Sequence, residues 1–506
     1  MVCHVTFLPE GKSADVPKGT TISDAGIEAG VKIKLPCAGN GRCGKCIVEV
    51  GGERVLACQT PVTDGMTVLV PEEDTGKVIA ATEHRKVELG EISPLSEGYG
   101  LAVDIGTTTV AAEIVDLSSG DVVFQTADMN RQRSRGEDVL ARIEYAGEGG
   151  TDELRRSVVE TINDLIARCD VEGFSPDRIT SAYIAGNTAM THLFLGIDPT
   201  PIRYPPFEPV VKEAAISGAE SGLTVNKDAK VICMPSVASY VGGDITSDII
   251  DSGMDRSEGL ALLIDVGTNG EVAIGNAEML LTCSSSAGPA FEGSQMTSGM
   301  LAREGAIDSV RISDGKLHYT VIGGIEPKGI CGSGIIDLVA QLFKAGMLDR
   351  RGNFTERSGA KDGVFTIVGD VVITQSEISN VIMTKAAIYS AAGTMVRSLG
   401  IGFEDLERIY IAGGFGNFID MESAITIGLF PDVDRTKYEY LGNASLAGAK
   451  YALISKDFRD RIDEVFPKMT YVDLGSDPVF YDEYMSAQFL PHTDDSKFPT
   501  VRTERL

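Results

Sequence analysis

Four cysteines near the N-terminus have the spacing of ligands to an iron–sulfur cluster. Cys37, Cys43, Cys46 and Cys58 follow the pattern C-x5-C-x2-C-x11-C within a short stretch rich in glycine. Four thiolates in one stretch supply the ligands of a [2Fe–2S] cluster. The glycines between them let the backbone wrap closely around a cluster and aim N–H groups at its sulfurs. The pattern predicts that this end of the chain carries electrons.

A structural zinc site and a pair of disulfides are the alternatives for these cysteines. Structural zinc sites usually pair their thiolates as two CxxC units, and this stretch contains one. Disulfide frameworks are typical of small secreted domains, whereas the start MVCHVTFLPEG lacks the regions of a secretory signal. We therefore favour the [2Fe–2S] cluster and expect a reducing, cytoplasmic setting.

The sequence around the cysteines predicts a small α+β domain. Two short strands and a helix are expected before the cysteines, and a hairpin and a closing strand after the first three of them. This order resembles the β-grasp ferredoxins of the plant type. The first gap between cysteines is wider, and the last gap shorter, than in simple plant ferredoxins, so the reduction potential stays open.

Composition predicts where the domains of the chain begin and end, and it argues against several classes of partner. The 506 residues carry a formal net charge of −28, which argues against a nucleic-acid partner, and no apolar run approaches a membrane span. We predict a ferredoxin-like domain over 1–72, a polar linker over 73–98, an α/β domain over 99–490 and a tail over 491–506 expected to be exposed. The linker is either a tether or a strap packed on the larger domain, and both remain open.

A short motif occurs twice in the large domain. Its copies, at 104–109 (DIGTTT) and 265–270 (DVGTNG), each join two strand-like segments. In such a turn, glycine allows close approach to an anion, while N–H groups and hydroxyls donate to its oxygens. The aspartate can hold Mg²⁺ or orient an attacking water. One copy also suits an ordinary turn, but two indicate an internal repeat that binds phosphate.

A third motif follows a strand near the C-terminus. The segment ERIYIAGGFGNFIDM places Gly413 and Gly414 after a buried strand, where paired glycines let an adenosine ring lie against the backbone. Together, the three motifs resemble the actin/Hsp70/sugar-kinase superfamily, whose members bind ATP and Mg²⁺ between two RNase H-like lobes. We therefore expect a multidomain protein, with a β-grasp [2Fe–2S] domain followed by a two-lobed actin-like ATPase domain.

The resemblance implies roles for the residues of these motifs. Asp104 and Asp265 would act as the catalytic residues that organise metal and water, and Gly413 and Gly414 would contact adenosine. Phosphate and metal would be bound by the remaining hairpin residues Gly106, Thr107, Thr108, Thr109, Gly267, Thr268 and Asn269. The helical segments AGNTAMTHLFLGID and LGNASLAGAKYAL look like the two connections between the lobes of the superfamily.

Nearly the whole chain resembles the reductive activators of corrinoid proteins, which are ferredoxin-fused ATPases. The specific stretches are the cysteine cluster, the motifs above, CSSSAGPAFEG and KGICGSGIIDLV. The resemblance implies an ATP-hydrolysing reductase that takes an electron from a low-potential donor. It would reduce Co(II) of a corrinoid protein to Co(I) for a methyltransferase system. It also implies that Ser284, Ser285 and Ser286 approach the corrinoid, although a plain serine-rich turn is the alternative. Larger members carry an extra domain where this chain has about 25 residues, so partner docking by that domain is in doubt.

Other functions remain open at this point. An activator of a radical dehydratase shares the ATPase fold, but that class holds a [4Fe–4S] cluster and lacks a ferredoxin domain. An ATP-gated, redox-sensing binding protein and a carbohydrate kinase are further alternatives. The sequence leaves monomer and homodimer open. The remaining cysteines are expected to be small buried residues, and the five histidines show no ligand spacing.

Overall fold

The computed structural model describes residues 2–9, 11–31, 33, 46–70, 87, 92–293, 296–313, 315–414 and 419–502. Of the predicted cluster ligands, Cys37 and Cys43 lie outside this part of the chain, as does most of the predicted linker.

The N-terminal domain is the predicted β-grasp fold. Its elements are β1 (Val2–Leu8), β2 (Lys12–Pro17), α1 (Ile22–Glu28), β3 (Ile47–Val50), β4 (Glu53–Leu56) and β5 (Met66–Leu69). The sheet order is β2-β1-β5-β3-β4, with β1 and β5 parallel at its centre. Helix α1 begins at the Thr21 cap, whose hydroxyl accepts from the Asp24 N–H, and buries Ile22 and Ala25 against the sheet.

The first lobe of the large domain contains one six-stranded sheet, in the order β10-β11-β9-β6-β7-β8. Its strands are β6 (Tyr99–Ile105), β7 (Thr109–Asp116), β8 (Val122–Met129), β9 (Ile179–Gly186), β10 (Ala214–Ser217) and β11 (Lys230–Cys233). Its helices are α2 (Val139–Tyr145), α3 (Thr151–Ala167), α4 (Thr188–Leu195), α5 (Thr200–Arg203), α6 (Gly218–Ser221) and α7 (Gly243–Ser252). Helix α3 packs on the sheet because Leu154, Val158, Ile162 and Leu165 share one face at helical spacing.

The second lobe also contains a six-stranded sheet, in the order β21-β20-β12-β13-β14-β22. Its strands are β12 (Ala261–Val266), β13 (Gly270–Gly275), β14 (Leu280–Ser285), β15 (Ala306–Ser313), β16 (Lys316–Val321), β17 (Gly329–Ile330), β18 (Val364–Val368), β19 (Val371–Thr374), β20 (Arg408–Ala412), β21 (Tyr438–Gly442) and β22 (Met469–Tyr471). Its helices are α8 (Gly332–Lys344), α9 (Gln375–Ser398), α10 (Met421–Ile427), α11 (Ala444–Ile454), α12 (Lys456–Val465) and α13 (Pro478–Ala487).

The predicted internal repeat is confirmed by strand pairing. In the first lobe β6, β7 and β8 form an antiparallel meander and β9 runs parallel to β6. In the second lobe β12, β13 and β14 do the same, with β20 parallel to β12. The turns at 106–108 and 267–269 therefore occupy equivalent places in the two lobes.

Two helices between the sheets join the lobes. Helices α7 and α11 pack on each other and form one core with the facing sides of both sheets. The segment beginning at Leu441 is thus correctly predicted as a connection, but the segment beginning at Ala185 is not. It forms α4, whose Met190 and Phe194 pack on the outer side of the first lobe. Both segments have Gly-Asn just before the helix. This motif does not show on which face of the sheet the helix packs, so the two could not be told apart from the sequence.

The described end of the predicted linker is a packed strap. Backbone N–H groups of Ser93 and Leu95 donate to carbonyls of Ile454 and Leu453 at 2.9 Å. Leu95 also packs against the core between the lobes. Residues 92–98 therefore form a strap packed on the larger domain and not a free tether.

The C-terminal tail is not the exposed extension that its polar composition predicts. His492 and Phe498 are buried, and Lys385 donates to the carbonyls of Phe489 and Pro491 at 2.6 and 2.7 Å. The tail is held through backbone carbonyls, such as that of His492, and through side chains, such as Lys497, which pairs with Glu483. Composition does not reveal these contacts. Across the part of the chain that the structure covers, no helix is long and apolar enough to cross a membrane.

Candidate functional site

A cleft of about 440 Å³ lies between the lobes, where the two repeated turns face each other. It is also bordered by α7, by the start of α11 and by the end of β20. The residues that the sequence assigns to nucleotide binding all line it: Asp104, Gly106, Thr107, Thr108, Thr109, Asp265, Gly267, Thr268, Asn269, Gly413 and Gly414. The fold brings the three motifs together, and their individual roles remain predictions.

Two glycines in this cleft stand where a side chain would not fit. A Cβ on Gly106 would lie 2.6 Å from the Thr109 carbonyl oxygen. Gly413 has a φ of +108°, and a Cβ there would lie 2.5 Å from the Val266 carbonyl oxygen. Glycine at both positions keeps the backbone open to the cleft, as a flat or anionic ligand requires.

Asp104 is held at the base of the cleft by a residue of the other lobe. The Asn443 side chain donates from Nδ2 to Asp104 Oδ2 at 2.9 Å, while its Oδ1 caps α11 by accepting from the Leu446 N–H. Enclosure by the cleft walls raises the pKa of Asp104 to about 7, the Asn443 hydrogen bond lowers it and the charge of Asp244 raises it. Asp104 therefore titrates near neutral pH.

Four further carboxyl groups, which the sequence motifs did not reveal, line the cleft: Asp244, Asp248, Glu271 and Asp308. Asp244 and Asp248 lie one turn apart on α7, and Glu271 follows the second turn on β13. Burial raises the pKa of Asp244 to about 6. Burial, and repulsion from Asp265 and Asp244, raise the pKa of Asp248. Asp248 Oδ2 is fully buried and accepts no hydrogen bond from the described residues. The D-x3-D spacing in VGGDITSDIID is the signal that could have identified the α7 pair.

These carboxylates fit a hydrated Mg²⁺. In the described chain, no three histidine, cysteine or acidic side chains converge closely enough to hold a metal ion by themselves. Mg²⁺ usually keeps several waters and binds through one or two carboxylates and the phosphates of a nucleotide. The acidic cleft offers carboxylates of this kind, and Mg²⁺ binding there remains a prediction.

The serine segment lies behind the second turn and does not line the cleft. Ser284 donates to Glu271 Oε1 at 3.4 Å and Ser285 donates to the Gly270 carbonyl at 3.1 Å, whereas Ser286 is exposed. Two of the three serines thus support the second turn. An approach of this segment to a corrinoid remains a prediction.

The two described cysteines of the predicted cluster site fit a metal centre. Cys46 and Cys58 are both buried, and their sulfurs lie 3.2 Å apart without a disulfide bond. The Cys58 N–H donates to the Cys46 sulfur at 3.5 Å, and the Gln59 amide donates to the Cys58 sulfur at 3.6 Å. N–H groups aimed at thiolates are the usual surroundings of iron–sulfur ligands.

Three of the remaining cysteines and the buried His192 are structural, whereas Cys169 is only partly buried, contrary to the sequence prediction. Burial raises the pKa of Cys233, Cys283 and Cys331, which keeps them as thiols. His192 contacts the Thr188 carbonyl through Nδ1 at 2.8 Å and accepts the Val210 N–H at Nε2. Its ring therefore holds a loop of the first lobe.

Protein-family models cover most of the chain. The model of a 2Fe-2S iron-sulfur cluster binding domain matches residues 3–72, that of the RACo middle region matches 99–257, and that of the C-terminal domain of RACo, the ASKHA domain, matches 259–502. The boundary between the last two models falls between the two six-stranded sheets. The protein is thus a 2Fe-2S ferredoxin fused to a two-lobed actin-like ATPase fold.

Two of three similar proteins extend over nearly the whole chain, and the third extends over about three quarters of it. The corrinoid activation enzyme RamQ of Eubacterium limosum is 32% identical, over 95% of this chain and 98% of its own length. The [Co(II) methylated amine-specific corrinoid protein] reductase of Methanosarcina barkeri is 26% identical, over 74% of this chain and 73% of its own. The solved structure of a reductive activator for a corrinoid iron-sulfur protein aligns with a TM-score of 0.78 and 35% identity, over 99% of this chain and 100% of its own. The chain therefore belongs to the family of reductive activators of corrinoid proteins.

Proposed function

We propose that this protein activates a corrinoid protein by ATP-dependent reduction, passing one electron to Co(II) to give Co(I) for a methyltransferase system. The observation that carries the proposal is the union, in one chain of this family, of paired ferredoxin thiols with an acidic cleft built from two phosphate-binding turns. The relatives named for corrinoid activation support it.

Residues at the two ends of the chain would have separate tasks. Cys37, Cys43, Cys46 and Cys58 would hold the [2Fe–2S] cluster, which supplies one-electron transfer when bound. An external low-potential reductant would provide the electron. A homodimer and a cytoplasmic location stay predictions from the sequence.

The cleft would bind and hydrolyse ATP. The turns at 106–109 and 267–269 would donate to phosphate oxygens, and Gly413 with Gly414 would contact adenosine. Asp104 and Asp265 would bind the waters of Mg²⁺ and orient the water that attacks the terminal phosphate. Because Asp244 also faces the cleft with a raised pKa, it is a further candidate to accept the proton of that water.

ATP would assist an unfavourable electron transfer by changing the lobes' conformation. For a one-electron couple, each ~59 mV of unfavourable potential corresponds to a factor of ten in the equilibrium. A ligand shifts a conformational equilibrium only by its difference in affinity for the two states. A nucleotide that contacts all three motifs at once would bind more tightly to a conformation in which the two lobes bring those motifs together.

The decisive experiment follows cobalt reduction under anaerobic conditions. The protein, a low-potential reductant and a Co(II) corrinoid protein are mixed, and Co(I) absorbance is recorded with and without Mg-ATP. We expect Co(I) only with Mg-ATP, no Co(I) with Cys58→Ser, and a rate lower by about 100-fold or more with Asp265→Ala. Cys169→Ser, in the first lobe, is the matched control and should keep the rate.

The opposite result is equally informative. If several corrinoid proteins give no Co(I) although the cluster is intact and ATP is bound, the proposal is wrong. An activator of a radical dehydratase and an ATP-gated redox sensor would then be the remaining functions.

A further inference from the structure

A buried polar network lies behind the first phosphate-binding turn. Arg142 of α2 is fully buried, as is Gln132, and Asn130 is nearly so. The Arg142 guanidinium donates to the Gly136 carbonyl at 2.9 Å and to Gln132 Oε1 at 3.1 Å. None of the three side chains lines the cleft. They lie close to the nucleotide site without facing it.

The network binds three successive carbonyl groups of the turn. Arg142 Nη2 donates to the Thr107 carbonyl, and Asn130 Nδ2 donates to the Gly106 carbonyl at 2.9 Å. The Asn130 backbone N–H donates to the Thr108 carbonyl at 2.9 Å. The carbonyls of 106–108 therefore all point into the lobe.

The direction of these carbonyl groups also fixes the direction of the N–H groups that follow them. In a planar trans peptide the C=O of one residue and the N–H of the next point in opposite directions. With the carbonyls of 106–108 held inward, the N–H groups of Thr107, Thr108 and Thr109 are directed to the cleft side. A row of N–H groups on one side of a turn is an anion-binding arrangement.

The second turn is closed differently. There the Gly267 N–H donates to the Asn269 carbonyl at 3.1 Å, within the turn itself. The first turn instead depends on side chains from β8's end and from α2. The conformation of the first turn is therefore set by residues that lie far from its motif in the sequence.

We propose that Arg142, with Asn130, is a positioning residue for ATP: it sets the first turn so that its N–H groups bind phosphate. The inference deepens the proposed function and rests on ATP being the ligand of the cleft. A lysine cannot replace the arginine, because one ammonium group does not reproduce the planar fork that reaches several carbonyl oxygens.

The test compares ligands with and without the outer phosphates. Isothermal titration measures the Kd of Mg-ATP and of AMP on the full-length holoprotein. For Arg142→Lys we expect the Kd of Mg-ATP to rise about tenfold or more, the Kd of AMP to change less than about twofold, and the cluster spectrum to be unchanged. Arg135→Lys is the matched control, since Arg135 is also buried but pairs with Glu153 and has no hydrogen bond to the turn.

A second variant covers the case in which Arg142→Lys does not fold. Asn130→Asp keeps the oxygen that accepts the Gln132 N–H but loses the donor to the Gly106 carbonyl, so the same selective loss of Mg-ATP affinity is expected. An unchanged Kd for Mg-ATP, or an equal rise for Mg-ATP and AMP, overturns the positioning role. If the wild-type protein binds no Mg-ATP, the proposed function itself fails together with the inference.

Discussion

At the scale of single residues, the cleft combines two acids whose charge changes near neutral pH. Burial raises the pKa of Asp104 to about 7 and that of Asp244 to about 6, and the charge of Asp244 adds to the rise at Asp104. A carboxyl group binds a hydrated cation only when it is ionised. Nucleotide binding in this cleft should therefore strengthen as pH rises through this range.

The Asn443 hydrogen bond sets where that rise occurs. It favours the ionised form of Asp104, so its removal raises the pKa of Asp104 further. In Asn443→Ser the serine still caps α11 but no longer reaches the carboxylate. We expect the pH at which Mg-ATP hydrolysis is half-maximal to move upward by roughly one unit, as for the loss of one hydrogen bond to a charged group. The pH profile of ATP hydrolysis measures this shift.

Thermal unfolding at pH 8 is the control for that variant. Because serine also caps the start of α11, we expect the melting temperature of the variant to be nearly unchanged. A profile that keeps its midpoint while the maximum rate falls would show that Asn443 acts only on the architecture of α11, contrary to our expectation.

Sequence alone finds the site residues that lie in repeated or glycine-rich turns. Asp104, Asp265 and Gly413 each lie at the end of an apolar strand, within two residues of a glycine that marks the turn in the local sequence. Asp248 and Asn443 lie on or at the start of helices, where a polar residue most often faces solvent or caps an end. Their place in the cleft depends on how α7 and α11 pack between the sheets, which no local pattern specifies.

At the scale of elements, the same limit explains the tail. Strands and long helices were predictable because their apolar spacing is local, as in α3 and α9. The tail instead is held in part by Lys385, a buried lysine in the middle of α9, which donates to the carbonyls of Phe489, just before the tail, and of Pro491, its first residue. Burial lowers the pKa of this lysine well below its usual range. A lone lysine in a helix gives no sign of such a role in the sequence.

Replacing that lysine tests how the tail is held. Lys385→Met keeps the volume but leaves the carbonyls of Phe489 and Pro491 buried without their donor. We expect opening of the tail to become easier by about 2 kcal/mol, or roughly 30-fold in the hydrogen-exchange rate of residues 489–502. Lys456→Met, which breaks only an exposed pair with Asp460, should leave that exchange unchanged. Equal exchange in both variants would mean that other contacts hold the tail.

At the scale of the whole molecule, the two lobes are joined through the contact of α7 with α11. One core extends from the first sheet across both helices to the second sheet. The helices also carry Asp248 and Asn443 into the cleft, so their separation sets the distance between groups of opposite lobes. Gly448 of α11 makes the close approach possible, because a Cβ there would lie 2.6 Å from Ser247 Cβ and 2.8 Å from its Cα.

Gly448→Ala should therefore damage both stability and the ATP site. The added methyl group forces α7 and α11 apart against a backbone that cannot move freely, at a cost of about 1–3 kcal/mol. We expect a lower melting temperature of the ATPase domain and weaker Mg-ATP binding, with an unchanged cluster spectrum in the ferredoxin domain. Calorimetry and nucleotide titration measure the two effects.

A second glycine in a helix, Gly393, provides the matched control, because its replacement by alanine is not expected to lower stability. At Gly393 of α9 an added Cβ would meet Glu483 Cγ at 3.5 Å, an ordinary contact. Gly393→Ala should be neutral or stabilise the protein by up to about 1 kcal/mol, because alanine favours the helix more than glycine does. If Gly448→Ala behaved like Gly393→Ala, the helix pair would tolerate separation. The geometry of the cleft would then have to be maintained by the turns themselves rather than by the helices that join the lobes.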